Sequence, residues 1–155
     1  MLLCNYHNDD CVRFSDNYEG QVDSVVTDPP YGIEYLGNSW DSYQNCIAFK
    51  KSTWESISKP LKSGGYLVIF GASKTFHRLT CAVEDSGLKI KDVLMWLYGQ
   101  GMPKSQNIGK KDPNWEGWGT GLKPCYEPIL LAQKPISEKT IVKNCQKHGV
   151  GGINI

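Results

Sequence analysis

The stretch Val22-Asp-Ser-Val-Val-Thr-Asp-Pro-Pro-Tyr31 decides the fold of this chain. Its first six residues are rich in β-branched side chains, which predicts a short buried strand. The two prolines after Asp28 fix the backbone and supply no N–H donors, so the strand ends at a rigid turn. In open α/β sheets ligands bind beyond the carboxyl ends of the strands, so this turn is a candidate site.

The rest of the chain alternates between predicted helices and strands. Further strands are predicted at 66–71, 88–98 and 125–132, and helices at 42–61, 74–85 and 137–147. The break Ser63-Gly64-Gly65 separates the first helix from the following strand, and residues 99–123 form a long loop. This order predicts an open, largely parallel α/β sheet of about four strands. No helix separates the last two strands, which favours antiparallel pairing at an edge.

The amino-acid composition favours a globular protein and argues against secreted, membrane and metal-binding classes. The 155 residues are 40% hydrophobic and 21% charged, which suits one globular domain over residues 1–155. The first residues show no signal-peptide pattern, and no apolar run reaches the roughly 20 residues of a membrane helix. Six scattered cysteines and three histidines have no metal-ligand spacing, so we expect reduced thiols and no metal site. These features predict a cytoplasmic protein.

The residues of the turn point to a particular ligand chemistry. The Asp28 carboxylate and the Pro29 carbonyl are two rigidly held acceptors, which match the two N–H donors of an exocyclic amine. Tyr31 offers a flat face on which an aromatic base can stack. The alternative is a plain structural turn, but the acid before the prolines and the aromatic ring after them favour a site.

The stretch 22–32 resembles the catalytic motif of the amino-group DNA methyltransferases, which methylate adenine N6 or cytosine N4. Further segments resemble phage and bacterial members in the same order along nearly the whole chain. These segments are Asn8-Asp-Asp-Cys11, the strand after Gly64-Gly65, Trp96 to Ser105, Trp115 to Pro124 and Glu127 to Pro135. The resemblance implies a Rossmann-like S-adenosylmethionine-dependent methyltransferase fold and the cytoplasm of a bacterial cell.

The resemblance also implies the roles of the site residues. The catalytic segment would be Asp28, Pro29, Pro30 and Tyr31, with a flipped base donating its amine protons to the Asp28 carboxylate and the Pro29 carbonyl, and stacking on Tyr31. S-adenosylmethionine would supply the methyl group. An aspartate before the prolines is commoner in the adenine enzymes, so adenine N6 is the expected target.

The cofactor residues are less complete in this sequence. Asp10 and Cys11, together with Asp28 and Pro29, are the candidate cofactor contacts, although Asp9 stands where the family usually has glycine. The family's glycine-rich cofactor loop has no counterpart in a strand-to-helix context, and Gly117 to Gly121 is interpreted as loop near DNA. We therefore expect the catalytic half of the domain, with the strand ending at Thr27 at an open edge that a complementing chain or a second copy covers.

Double-stranded DNA is the expected partner, and the loop 99–123 carries its candidate contacts. These are Lys104, Lys110, Lys111, Trp115, Trp118 and Lys123. Lysines neutralise phosphates and tryptophans stack on bases, whereas the alternative is a solvated loop. His77 is expected at the surface, and the tryptophans at 40, 54 and 96 in the core.

Two other functions stay open. The chain could be an inactive remnant that binds DNA or associates with another subunit. It could also methylate amines of RNA or protein, since similar proline-rich loops serve those substrates.

Overall fold

The computed structural model describes residues 4–101, 105–122 and 124–155. Its helices are α1 (Cys11–Asn17), α2 (Lys51–Ser58), α3 (Phe76–Asp85) and α4 (Ile141–His148), and its strands are β1 (Val22–Thr27), β2 (Leu61–Phe70), β3 (Lys89–Leu97) and β4 (Tyr126–Gln133). Short 3-10 turns occupy Tyr35–Gly37, Ser39–Asp41, Ile47–Phe49, Ile108–Lys110 and Pro113–Trp115. Strand β1 has the predicted bounds, and β3 and β4 were predicted to within one residue at each end, but β2 begins five residues before its predicted start at Tyr66.

The four strands form one sheet in the order β1-β2-β4-β3. Strand β2 is parallel to β1, whereas β4 is antiparallel to both β2 and β3. The prediction of a largely parallel sheet is therefore wrong, although the predicted antiparallel pairing of the last two strands is confirmed. The reason is that β1, β2 and β3 share one direction, as their helical connections require, but β4 inserts in reverse between β2 and β3.

Local structure departs from the prediction in three places. The helix predicted over 42–61 is reduced to α2, because 3-10 turns occupy the residues before it. Gly64 and Gly65 lie inside β2, where the pairing with β1 is irregular between Val22 and Ser24. Helix α1 was not predicted, and its start is marked by Asp10, whose carboxylate accepts hydrogen bonds from the backbone N–H groups of Val12 and Arg13 at 3.0 and 2.9 Å.

The core lies between the sheet and the helices α2 and α3. Its largest fully buried side chain is Trp54, whose indole N–H donates to the Ala48 carbonyl at 2.8 Å. The core also contains Leu61, Leu67, Ile69, Leu79, Val83, Leu88, Leu130 and Ala132. Trp54 is therefore in the core as predicted, but Trp40 and Trp96 are 57% and 55% exposed, so their placement in the core was wrong.

Strands β1 and β3 form the two edges of the sheet. At the β1 edge Val26 is 68% exposed, in agreement with the predicted open edge. Because Thr27 pairs with Ile69 and Phe70 pairs with Ile129, the end of β1, the end of β2 and the start of β4 lie at the same end of the sheet. That end carries the candidate site.

Candidate functional site

The segment from Asp28 to Tyr31 leaves β1 at this end of the sheet and is held by side chains from elsewhere in the chain. The Pro30 carbonyl accepts from the Cys46 thiol at 3.2 Å, and the Tyr31 carbonyl accepts from the Thr75 hydroxyl at 2.6 Å. Within the described residues, no hydrogen bond reaches the Pro29 carbonyl. The loop is thus fixed just beyond one carbonyl that remains able to accept.

Asp41 anchors the residues that follow Tyr31. Its side chain is buried, and the carboxylate accepts from the backbone N–H groups of Gly32, Ile33 and Tyr35 at 2.7, 3.4 and 3.0 Å. These donors take the place of a counter-ion and satisfy the buried charge. The chain wraps around Asp41 in a tight loop, in which Glu34 and Leu36 adopt left-handed backbone conformations with φ of 55° and 54°.

Glycine is required at position 32. Its φ is +67°, and a Cβ atom there would overlap the Phe49 ring. Phe49 therefore packs directly against the backbone of the loop, which only an unsubstituted residue permits. This contact and the Asp41 hydrogen bonds set the path of the chain after Tyr31.

Carboxylates and phenols cluster beside the loop. The Tyr31 hydroxyl donates to the Glu127 carboxylate at 3.4 Å, a contact between residues 96 positions apart. Burial, and then the neighbouring Asp28 and Glu127 carboxylates, raise the pKa of Tyr31 far above its ordinary value. The adjacent Glu127 carboxylate is also the main cause of the raised pKa of Tyr98. Both phenols are therefore held neutral as donors near two acceptor groups.

A cavity of about 490 Å³ contains this cluster. Asp28, Pro29, Pro30, Tyr31, Ile33, Tyr35, Trp40, Asp41, Tyr98 and Glu127 line it. Its described lining includes four aromatic rings and three carboxylates but no lysine or arginine. Such a cavity suits a flat, uncharged or cationic group that donates hydrogen bonds.

A second cavity, of about 500 Å³, lies between α1 and the end of β1. Asn5, His7, Cys11, Phe14, Ser15, Tyr18, Val22, Ser24, Val25, Val26, Thr27, Ile57 and Pro60 line it. Thr27 lines this cavity and Asp28, the next residue, lines the first. Of the predicted cofactor contacts, Cys11 lines the second cavity. Asp28 and Pro29 line the first cavity. Asp10 lines neither cavity and caps the start of α1.

The predicted DNA contacts that the structure describes lie on the segment 105–122. An antiparallel bridge between Asn107 and Gly119 closes this segment. Trp115 and Trp118 pack edge to face with ring centroids 5.5 Å apart, and both remain exposed. Lys110 and Lys111 are exposed beside them. Lys104 and Lys123 lie outside the described residues, and none of the described four lines the cavity at Asp28.

Four residues that line the cavity were not predicted from the sequence as parts of the site: Trp40, Asp41, Tyr98 and Glu127. Asp41 carried a local signal, because a carboxylate shortly after a turn can accept from its backbone N–H groups. Glu127 and Tyr98 carried only a positional signal, since both lie at strand ends that meet the end of β1 in the folded sheet.

The described residues contain neither a candidate metal site nor a helix that could span a membrane. No group of three or more His, Cys, Asp or Glu side chains is placed there to hold a metal ion. In the same part of the chain, no helix is long and apolar enough to cross a membrane.

Known proteins resemble this chain over most of its length. A family model described as DNA methylase matches residues 22–149. The type II methyltransferase M.HindIII of Haemophilus influenzae is 26% identical over 202 residues, which cover 99% of this chain and 65% of that protein. The type II methyltransferase M.HpaI of Haemophilus parainfluenzae is 25% identical over 120 residues, 75% of this chain and 34% of that protein. The chain thus spans less than two thirds of these relatives.

Solved structures agree on the fold. The complex of M1.HpyAVI with SAM matches with a TM-score of 0.55 and 19% identity over 86% of this chain and 53% of that one. A DNA modification methylase from Thermus thermophilus, complexed with S-adenosyl-L-methionine, matches with a TM-score of 0.54 and 21% identity over 84% of this chain and 55% of that one. The expected α/β methyltransferase fold is confirmed.

Proposed function

We propose, from the premise that this chain belongs to the DNA methylase family, that the cavity at Asp28 receives a base of double-stranded DNA for methylation of its exocyclic amine. The observation that carries the proposal is the Pro29 carbonyl, which lies beside the Asp28 carboxylate and accepts no hydrogen bond within the described residues, whereas the next two carbonyls of the loop both do. Adenine N6 is the proposed target, because an aspartate before the two prolines resembles the adenine enzymes.

The two acceptors would activate the amine. The lone pair of an adenine amine is delocalised into the ring, so the nitrogen is a poor nucleophile. Hydrogen bonds from both N–H groups, one to Asp28 and one to Pro29, would draw the nitrogen toward tetrahedral geometry and free the lone pair. This catalysis consists of orientation and charge stabilisation on a rigid loop and needs no covalent enzyme intermediate.

The aromatic lining would hold the base. Tyr31 presents its ring to the cavity, and its bond to Glu127 fixes the ring's orientation. Removing a base from the duplex costs a few kcal/mol of stacking and pairing. Stacking on aromatic side chains, at about 1–3 kcal/mol per base, can offset that cost.

The residues present fit S-adenosylmethionine in part. The second cavity combines aromatic and apolar walls with polar groups from His7, Ser15 and Ser24, which suits an adenosyl group. Cys11 would contact the cofactor there, and Asp28 and Pro29, which line the first cavity, would contact it from that side. Asp10 would act on the cofactor through the placement of α1. When bound, the cofactor supplies an electrophilic methyl group on a sulfonium sulfur.

The segment 105–122 would contact DNA. Lys110 and Lys111 would neutralise phosphates, and the exposed pair Trp115 and Trp118 would stack on bases. Lys104 and Lys123 complete the proposed set. The open edge of β1 would be covered by a complementing chain or a second copy, since exposed strand edges pair readily. The proposed location is the cytoplasm of a bacterial cell.

A methylation assay tests this function. The chain is incubated with radiolabelled S-adenosylmethionine and unmethylated bacterial DNA, and the DNA is digested to nucleosides that are separated and counted. We expect label in N6-methyladenine, and its loss in Asp28→Ala. Asp23→Ala is the matched control, because Asp23 lies on the same strand but pairs with Lys62 at the surface.

The other outcomes separate the alternatives. Label in N4-methylcytosine would change the target base only. Label in RNA or protein would favour an amine methyltransferase of another substrate class. Absence of label with a folded chain would favour the inactive remnant, and activity restored by a second chain would identify the complementing partner.

A further inference from the structure

The carboxylates of the cavity at Asp28 would repel the phosphates of a nucleic acid. Asp28, Asp41 and Glu127 line it, and its described lining has no basic residue. A nucleotide that places its base in this cavity brings its phosphates to the rim. Carboxylates and phosphates repel each other, so positive charge near the rim is needed to hold the backbone there.

Three basic side chains border the loop that forms one wall of this cavity. Lys50, Lys74 and Arg78 are exposed, and none of them takes part in an ion pair within the described part of the chain. We call these three residues the basic ledge. Surface cations without carboxylate partners keep their full charge available to an anionic ligand.

The residues next to Lys74 and Lys50 in the chain contact the loop that carries Asp28 and Pro29. Lys74 precedes Thr75, whose hydroxyl donates to the Tyr31 carbonyl at 2.6 Å. Lys50 follows Phe49, whose ring packs against Gly32. The ledge therefore borders the same loop that carries the two proposed acceptors.

Arg78 is linked to the loop through two aromatic rings, Tyr43 and Phe49, which pack against each other at a tilt. Its guanidinium carbon lies 5.3 Å from the centre of the Tyr43 ring, and the centre of that ring lies 5.6 Å from the centre of the Phe49 ring. Stacking orders the guanidinium before any ligand arrives and leaves its N–H groups available for hydrogen bonding. An ordered guanidinium loses less entropy than a free side chain when it binds a phosphate.

We propose that Lys50, Lys74 and Arg78 bind the phosphate backbone of duplex DNA next to the base that enters the cavity. This inference rests on the proposed function, because it assumes that DNA is the substrate. It adds a binding surface that is separate from the lysines of the segment 105–122. Its ligand is a phosphodiester, so binding should depend on the number of charges and on salt.

The test measures the affinity of the full chain for a fluorescein-labelled DNA duplex at several salt concentrations. Each phosphate contact contributes about 0.9 to the slope of log affinity against log salt. The triple change Lys50→Gln, Lys74→Gln and Arg78→Gln should therefore lower the slope by about 2 to 3. Arg78→Lys alone should keep the slope and weaken binding, because charge remains while the stacked guanidinium is absent.

The control removes three equivalent charges from the other end of the sheet. Lys89 starts β3 opposite Gln133, and Lys139 and Lys143 belong to the α4 region, whose Asn144 bonds to the Ser63 carbonyl near the start of β2. Changing these three lysines to glutamine should leave the slope nearly unchanged, since exposed charges beyond about 10 Å are screened at 0.1 M salt.

Each result decides between the hypotheses. If the triple variant still binds DNA with an unchanged salt slope, the proposed role of the basic ledge is wrong. The proposed function is not affected by that result. Equal effects of the ledge and control variants also overturn it, because only total charge would then matter. No salt-dependent binding of duplex DNA by the unaltered chain overturns both the ledge and the proposed DNA substrate.

Discussion

The buried carboxylate of Asp41 accepts a 2.7 Å hydrogen bond from the backbone N–H of Gly32, the residue that directly follows the proposed catalytic segment. It also accepts from the N–H groups of Ile33 and Tyr35. Asp41 therefore anchors the residues that directly follow the segment from Asp28 to Tyr31. Stability of the fold and geometry of the site are coupled through this residue.

Asp41→Ala should destabilise the fold by about 3 kcal/mol, because three backbone donors lose their acceptor and those that stay buried remain unsatisfied. Asp41→Asn should cost less, since the amide oxygen can still accept. Urea denaturation followed by circular dichroism measures both changes. Asp85→Ala, at the exposed end of α3, is the control and should be nearly neutral. Equal stability of Asp41→Ala and the control would show that the loop does not need this anchor.

Gly32→Ala should be more harmful than Gly37→Ala. Both glycines have positive φ, +67° and +76°, but a Cβ atom meets the Phe49 ring only at position 32. Backbone strain alone costs about 1 kcal/mol, which is the expected effect at Gly37. Overlap with the ring should raise the cost at Gly32 to about 3 kcal/mol. Thermal denaturation compares the two variants, and similar melting temperatures would mean that Phe49 moves aside freely.

Stability should fall at alkaline pH through Tyr31. The pKa of Tyr31 in the folded chain is raised above the ordinary value of 10.0, chiefly by burial. Its stabilising contribution is therefore complete below pH 10.0 and is lost as pH rises above it, because the unfolded chain releases the proton first. Denaturation at increasing pH should show a steeper decline for the parent chain than for Tyr31→Phe. Tyr6→Phe, at a side chain that is 89% exposed, should follow the parent chain.

Glu127→Gln should lower the pKa of both Tyr31 and Tyr98, since it removes a negative charge that opposes ionisation of each phenol. Ultraviolet absorbance of phenolate during an alkaline titration measures the change, with Tyr31→Phe and Tyr98→Phe used to assign the signals. Glu116→Gln in the exposed segment 105–122 is the charge-matched control. A titration curve that coincides with that of the control would contradict the cluster.

Lys110→Gln with Lys111→Gln should reduce the salt dependence of DNA binding, by roughly 1 in slope for each phosphate that is no longer neutralised. Both lysines are exposed, and replacing them should leave stability within about 0.5 kcal/mol. The double variant Lys139→Gln and Lys143→Gln is the control. An unaltered slope would remove the segment 105–122 from the DNA-binding surface.

Local sequence patterns were sufficient to predict where Asp28 lies, at the end of a strand. A β-branched run followed by two prolines placed Asp28 at the end of β1, and the structure has that strand at Val22–Thr27. The same reasoning could not place Glu127, because its position depends on β4 lying between β2 and β3. Strand order is decided by long-range packing, whereas hydrophobic periodicity reports only which segments are buried.

The tryptophans show the same limit. Residue type alone placed Trp40, Trp54 and Trp96 in the core, yet only Trp54 is buried. Trp40 lines the cavity from a 3-10 turn, and Trp96 lies on an edge strand whose outer side has no neighbour in the described sheet. Burial of a large aromatic residue depends on whether an element covers it, which the local pattern does not contain.

The reversed position of β4 has a consequence for how the protein forms during translation. Strands β2 and β3 are separated in the sheet, so β3 has no hydrogen-bonding neighbour in it until the ribosome has released residues Tyr126–Gln133. The nascent chain must therefore carry an unpaired β3 and an open side of β2 for some time, a period in which a chaperone or a second nascent chain can bind them. When β4 pairs with β2 and β3, it completes the four-stranded sheet and also brings Glu127 into contact with Tyr31. The sheet and the contact between Tyr31 and Glu127 are thus both completed by the placement of β4.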